Sequence, residues 1–119
     1  MTPRPALALA ALVLLTATPA WATGGIACRT AGPNPIALDL VVGHAALSAI
    51  VSARLTEGGR PVPAAIAQSW LDGEELRLDL ADPAAMRHEL RLKTRRIGDH
   101  YDGSVWRAGK RHWVRCREA

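Results

Sequence analysis

Apolar and polar residues alternate with a period of two along most of the chain. Ile36, Leu38, Leu40 and Val42 alternate with Ala37, Asp39 and Val41. Leu47, Ala49, Val51, Ala53 and Leu55 alternate with Ser48, Ile50, Ser52, Arg54 and Thr56. Leu76, Leu78 and Leu80 interleave with Glu75, Arg77 and Asp79, and Leu90, Leu92 and Thr94 with Arg91, Lys93 and Arg95. On a half-buried sheet this period sends the first set of each run inward. Gly58-Gly59, Asp72-Gly73, Gly98-Asp99 and Gly109-Lys110 supply residues that tolerate positive φ, as two-residue hairpin loops require. The spacing predicts eight strands, over 25–31, 36–43, 47–56, 64–71, 74–80, 87–97, 100–107 and 111–117. Short loops between neighbours imply an all-β antiparallel meander, closed into a small barrel or a tight sandwich. The alternative is an α+β fold with a short helix. One candidate lies near 83–88, where Asp82 would cap and Pro83 would start it, and the other in the Ala-rich 44–53.

The last two hairpins can be aligned from their loops. A bend at Gly98-Asp99 pairs Ile97 with His100, Arg95 with Asp102, Lys93 with Ser104 and Arg91 with Trp106. A bend at Gly109-Lys110 then pairs Trp106 with Trp113, Ser104 with Arg115 and Asp102 with Arg117. The inward rows would read Leu92–Val105–Val114 and Thr94–Gly103–Cys116. The outward rows would read Arg91–Trp106–Trp113, Lys93–Ser104–Arg115 and Arg95–Asp102–Arg117, with a cross-strand tryptophan pair. A guanidinium beside an indole can stack on it.

The N-terminus adds a compartment. Met1–Pro5 carries the amine and Arg4, Ala6–Ala17 is apolar, and Ala20-Trp21-Ala22 is a small-x-small cleavage site. Residues 1–22 therefore read as a cleavable export signal too short to anchor, and 23–119 as one small domain, periplasmic or secreted and without a transmembrane anchor. The two cysteines, Cys28 and Cys116, then pair in an oxidising compartment and tie first strand to last. A rival reading makes Gly25-Ile26-Ala27-Cys28 a lipoprotein box with Cys28 lipidated. Gly25 stands where such boxes carry Leu, and Cys116 would lose its partner.

Charge is unevenly distributed. The formal net charge is +4, yet residues 23–86 sum to −3 and residues 87–117 to +7. A field this lopsided steers an anionic partner. With the tryptophans, it makes Arg91, Lys93, Arg95, Trp106, Trp113, Arg115 and Arg117 the candidate ligand-binding residues. The ligand class would be an anionic glycan, lipopolysaccharide or lipid headgroup, or else an acidic protein. Nucleic acid suits the chemistry but not an exported chain.

No catalytic set accompanies this surface. His44, His88, His100 and His112 lie in separate segments, and Asp99-His100-Tyr101-Asp102 falls on a turn. Neither a nucleophile elbow nor a phosphate-cradling glycine loop is present. The expectation is a monomeric, non-enzymatic binding module with no metal or cofactor. The layout of export signal, small β domain and first-to-last disulfide resembles small periplasmic lysozyme inhibitors. Their Ser-Gly-rich segment leading to a Tyr is reduced here to Tyr101-Asp102-Gly103-Ser104, so the resemblance carries no residue roles. It implies a second possibility, a protein-directed inhibitor or envelope assembly factor acting through Glu57–Pro63 and Ala81–Met86.

Overall fold

The computed structural model describes residues 24–43 and 50–119, and the stretch 1–22 expected to be an export signal lies outside them. Among the described residues nine antiparallel strands form one sheet: β1 (Gly24–Thr30), β2 (Ile36–Val42), β3 (Ile50–Glu57), β4 (Arg60–Val62), β5 (Ala65–Leu71), β6 (Glu75–Ala81), β7 (His88–Ile97), β8 (His100–Arg107) and β9 (Lys110–Glu118). Their order is β4-β3-β2-β1-β9-β8-β7-β6-β5. The two edge strands are thus consecutive in sequence, joined only by Pro63 and Ala64. From Val62 to Ala65 an extended chain reaches at most about 11 Å. The sheet must therefore curl until its edges meet, and it forms a half-barrel. Pairing with β3 stops at Val62, next to Pro63, which has no N–H to donate. Beyond that point β3 and β5 lie side by side without a ladder.

Cys28 and Cys116 face each other across the β1–β9 pair and form the disulfide that links first and last strands. Around them pack Leu38, Leu40, Leu55, Leu76, Leu78, Leu80, Leu90, Leu92, Val105 and Val114, all buried. The inward residues of β8 occupy both ends of this core. At one end Tyr101 donates its hydroxyl to the Asp72 carbonyl at 2.9 Å. At the other, Arg107 reaches Glu89 Oε1 at 3.0 Å and Glu57 Oε1 at 3.2 Å, bridging β3 and the start of β7. Midway, Gly103 lets β8 approach β7 closely. A Cβ there would overlap the Lys93 carbonyl oxygen and lie 2.7 Å from Thr94 Cα. The buried Thr94 hydroxyl is satisfied by donating to the Leu76 carbonyl at 2.9 Å.

Most strands fall within a residue or two of expectation, and four details differ. A ninth strand, β4, forms because Gly58 and Gly59, both at positive φ, turn the chain back so that Glu57 pairs with Arg60. The alternation expected in 47–56 fails at Val51, which is 63% exposed while Ile50 is buried. The register against β2 shifts there, Val42 facing Ile50 and Val41 facing Ser52, so Val51 is the unpaired residue of a bulge. No helix forms over 83–88. The Asp82 carboxylate instead accepts the amides of Met86 and Arg87 at 2.7 and 2.5 Å, capping an irregular turn. Of the other helical candidate, residues 50–53 are strand, and 44–49 lie outside the described residues.

The fourth difference bears on the site. The β7–β8 register is as expected, with Arg91 opposite Trp106 and Arg95 opposite Asp102. The β8–β9 bend, however, is Ala108-Gly109 and not Gly109-Lys110, with φ of 51° and 76°. Moving the bend one residue back slides the register by two. Trp106 pairs with Arg111, Ser104 with Trp113, Asp102 with Arg115 and His100 with Arg117. A slip of two keeps every side chain on its own face. It places bulky Val114 against Gly103 and sets Arg115 directly across from Asp102. The expected Trp106–Trp113 pair is not formed, and neither are the inward pairs Val105–Val114 and Gly103–Cys116.

Candidate functional site

Arg91, Lys93, Arg95, Trp106, Trp113, Arg115 and Arg117 all lie on the outer face of β7–β9, because their strand neighbours Leu92, Thr94, Val105, Val114 and Cys116 fill the interior. Their rows are Arg91–Trp106–Arg111, Lys93–Ser104–Trp113 and Arg95–Asp102–Arg115, with Arg117 beyond, opposite His100. The face also continues onto β6 and β5. Arg77 is opposite Lys93, and Trp70 is opposite Arg77. One row of five therefore crosses the sheet: Trp70, Arg77, Lys93, Ser104 and Trp113.

Sequence reasoning missed Trp70, Arg77 and Arg111. Arg111 was lost to the displaced bend. Trp70 and Arg77 join the face only through the β6–β7 pairing, which crosses the irregular 82–87 turn and a register shift at Leu80/Ala81. No hairpin arithmetic spans such a turn.

Three carboxylates on this face are each committed to a cation. Asp79 accepts from Arg91 Nε at 3.0 Å, with His88 Nε2 at 3.8 Å. Glu75 lies 3.5 Å from Arg77. Asp102 receives both Nε and Nη2 of Arg115, at 2.7 and 2.9 Å, and His100 Nε2 lies 3.3 Å away. The Arg115 hydrogen bond holds the Asp102 carboxyl below its ordinary range and raises the guanidinium in turn. Lys93, Arg95, Arg111 and Arg117 have no carboxylate within ion-pair distance among the described residues. Arg77 and Lys93 are like charges directly opposite one another, an arrangement that weakens a sheet.

The indoles are exposed, and two of them have an arginine over the ring. Trp70 is 52% exposed, Trp113 59% and Trp106 37%. Trp70 donates Nε1–H to Asp72 Oδ2 at 3.0 Å, and the Arg77 guanidinium lies 5.6 Å from its ring centroid. The Asp72 carboxylate accepts the amides of Glu74 and Glu75 as well, which lowers its pKa and locks the turn that holds the ring. Arg115 lies 5.2 Å from the Trp113 centroid. Beside Trp106 a shallow hollow of about 480 Å³ is lined by His88, Arg91, Lys93 and Trp106 itself. A narrower hollow of about 280 Å³ beside Ile26, Leu71 and Tyr101 presents none of these cations.

Fold and face together define a small disulfide-closed β domain with exposed indoles set among cations on its outer face. No family model, curated protein or solved structure matches this chain.

Proposed function

We propose that the protein is a non-enzymatic binding module, periplasmic or secreted, for an anionic envelope ligand: a glycan, a lipopolysaccharide or a lipid headgroup. The observation that carries this reading is the set Lys93, Arg111 and Arg117. These cations share the outer face with exposed indoles and have no carboxylate within ion-pair distance among the described residues. Cations without a structural role favour anions at little cost to the fold. The Arg77–Lys93 juxtaposition, unfavourable in the free protein, is relieved when an anion sits between them. The disulfide is compatible with a location outside the cytosol, and no helix among the described residues is long and apolar enough to cross a membrane.

The test uses the triple charge reversal K93E/R111E/R117E, leaving Arg95 in place between Glu75 and Asp102. These positions were chosen because Arg91 and Arg115 also hold Asp79 and Asp102, so their loss would confuse folding with binding. Wild type should bind heparin and lipopolysaccharide with an affinity that falls steeply between about 50 and about 500 mM salt. The triple variant should fold and lose that binding. Unchanged binding would overturn the reading.

A second reading, a protein-directed inhibitor or assembly factor, draws support from Arg107. Its bonds to Glu57 and Glu89 hold the 57–63 and 81–86 segments at the same end of the half-barrel. It expects crosslinking at the exposed Met86 to capture one protein partner stoichiometrically. Capture of only glycan or lipid rejects it.

A further inference from the structure

Resting on the reading above, we infer that the outer face holds one compact site, in the hollow beside Trp106, for a phosphate monoester carried on a single sugar ring. Four side chains line this hollow of about 480 Å³: His88, Arg91 and Lys93 from β7 and Trp106 from β8. That volume lies within the range of small-molecule sites, about 300–1,000 Å³. The four come from two adjacent strands, with Arg91 directly opposite Trp106, so one small ligand is within reach of them all.

A bulge brings His88 to this place. Leu90, Leu92 and Thr94 are buried, and strict alternation would send His88 inward with them. Leu80 faces Leu90 while Ala81 faces His88, so Glu89 is the extra residue on β7. Arg107 holds the Glu89 carbonyl at 3.1 Å and its carboxylate at 3.0 Å. His88 thereby turns onto the outer face, its Nε2 3.8 Å from Asp79. Asp79 also accepts from Nε of Arg91 at 3.0 Å, which leaves the two terminal nitrogens of that guanidinium without a protein partner among the described residues. A guanidinium fork, the Lys93 ammonium and an imidazole are donors of three different shapes. A carboxylate has two oxygens to offer them, whereas a phosphate monoester presents three strong acceptors and a charge of about −1.5 to −2. The indole supplies the place for the ring. Trp70 and Trp113 are each covered by an arginine, but Trp106 has none over its ring among the described residues. Its open face suits the C–H face of a sugar. Arg111, opposite Trp106 on β9, adds a cation on the far side of the ring.

The experiment follows backbone amide shifts of isotope-labelled protein by NMR during titration with glucose 6-phosphate, inorganic phosphate and glucose. Vesicles of phosphatidic acid, which carries the same phosphate monoester on a lipid, form a separate arm. Glucose 6-phosphate should bind about tenfold more tightly than inorganic phosphate, with shifts centred on His88, Arg91, Lys93 and Trp106, and glucose should not bind measurably. Trp106→Ala should erase that tenfold advantage and leave inorganic phosphate unchanged, whereas Lys93→Gln should weaken both. Thermal unfolding confirms that the variants fold, and the wild-type shift map reads the site without either. Equal affinity for glucose 6-phosphate and inorganic phosphate, or shifts centred on Trp70 or Trp113, overturns the site. Vesicles bound more tightly than glucose 6-phosphate, and equally well by Trp106→Ala, overturn it in favour of a lipid headgroup. If no phosphate probe binds while heparin still does, the compact site falls and the broader anionic reading stands. Failure to bind heparin and lipopolysaccharide as well removes both.

Discussion

The bend that sets the site's register carries a strain that can be measured. Ala108 adopts φ 51° ahead of Gly109 at φ 76°. A left-handed conformation costs a non-glycine residue on the order of 1 kcal/mol, and an Asn at the first position of an Asn-Gly bend largely escapes that cost. Ala108→Asn should therefore stabilise the domain by about 1 kcal/mol, equivalent to a rise of about 4–8 °C in Tm for a domain of this size. Ala108→Gly relieves the same strain but loosens the unfolded chain by about 0.4–1 kcal/mol, so its gain should be smaller. Ala108→Val, with a β-branched side chain at positive φ, should destabilise. The assay is urea and thermal unfolding followed by circular dichroism with the disulfide intact. Had the bend been Gly109-Lys110, Ala108 would lie in extended strand and Asn there would weaken the sheet, while Lys110→Asn would strengthen it. That pattern of signs would refute the observed register, and with it the placement of Trp113 beside Ser104 and Lys93.

Gly103→Val should cost more than about 2 kcal/mol or abolish folding, because the new Cβ meets backbone atoms of Lys93 and Thr94 that cannot swing aside; urea unfolding of Gly103→Ala and Gly103→Val gives the series. Reducing the disulfide, or replacing both cysteines by Ala, should remove about 4 kcal/mol by opening a closure of 88 residues, read as a shift in urea midpoint. Asp72, Asp82, Asp99 and Asp102 are all held below their ordinary range. The causes, in order, are the Glu74 amide, the Arg87 amide, the His100 ring and the Arg115 guanidinium. Groups lowered in the folded state release protons on folding. Their stabilisation is full above the unfolded value of about 3.9 and is lost as pH falls through the lower folded values. Stability should thus be insensitive to these groups near neutrality and drop below about pH 4; Asp102→Asn should flatten part of that drop.

Legibility in the sequence followed the range of the interactions involved. Period-two alternation over 36–42, 75–81 and 88–97 is a property of neighbouring residues, and it correctly sends Leu38, Leu78 and Leu92 into the core and the Arg91, Lys93 and Arg95 series outward. The disulfide is legible because the chain has only two cysteines, and the β7–β8 register because its bend is a plain two-residue turn. Tertiary structure decided the rest. The Ala108-Gly109 bend, in place of Gly109-Lys110, sets Val114 against Gly103 and Arg115 against Asp102, pairings that depend on residues five and six positions from the bend. The bulge at Val51 appears only in the pairing of β3 with β2, where Val42 faces Ile50 and Val41 faces Ser52, and no alternation along β3 by itself marks it. Trp70 enters the candidate site only through the curled sheet, since the link from Arg77 to Lys93 crosses a turn whose length no local pattern encodes.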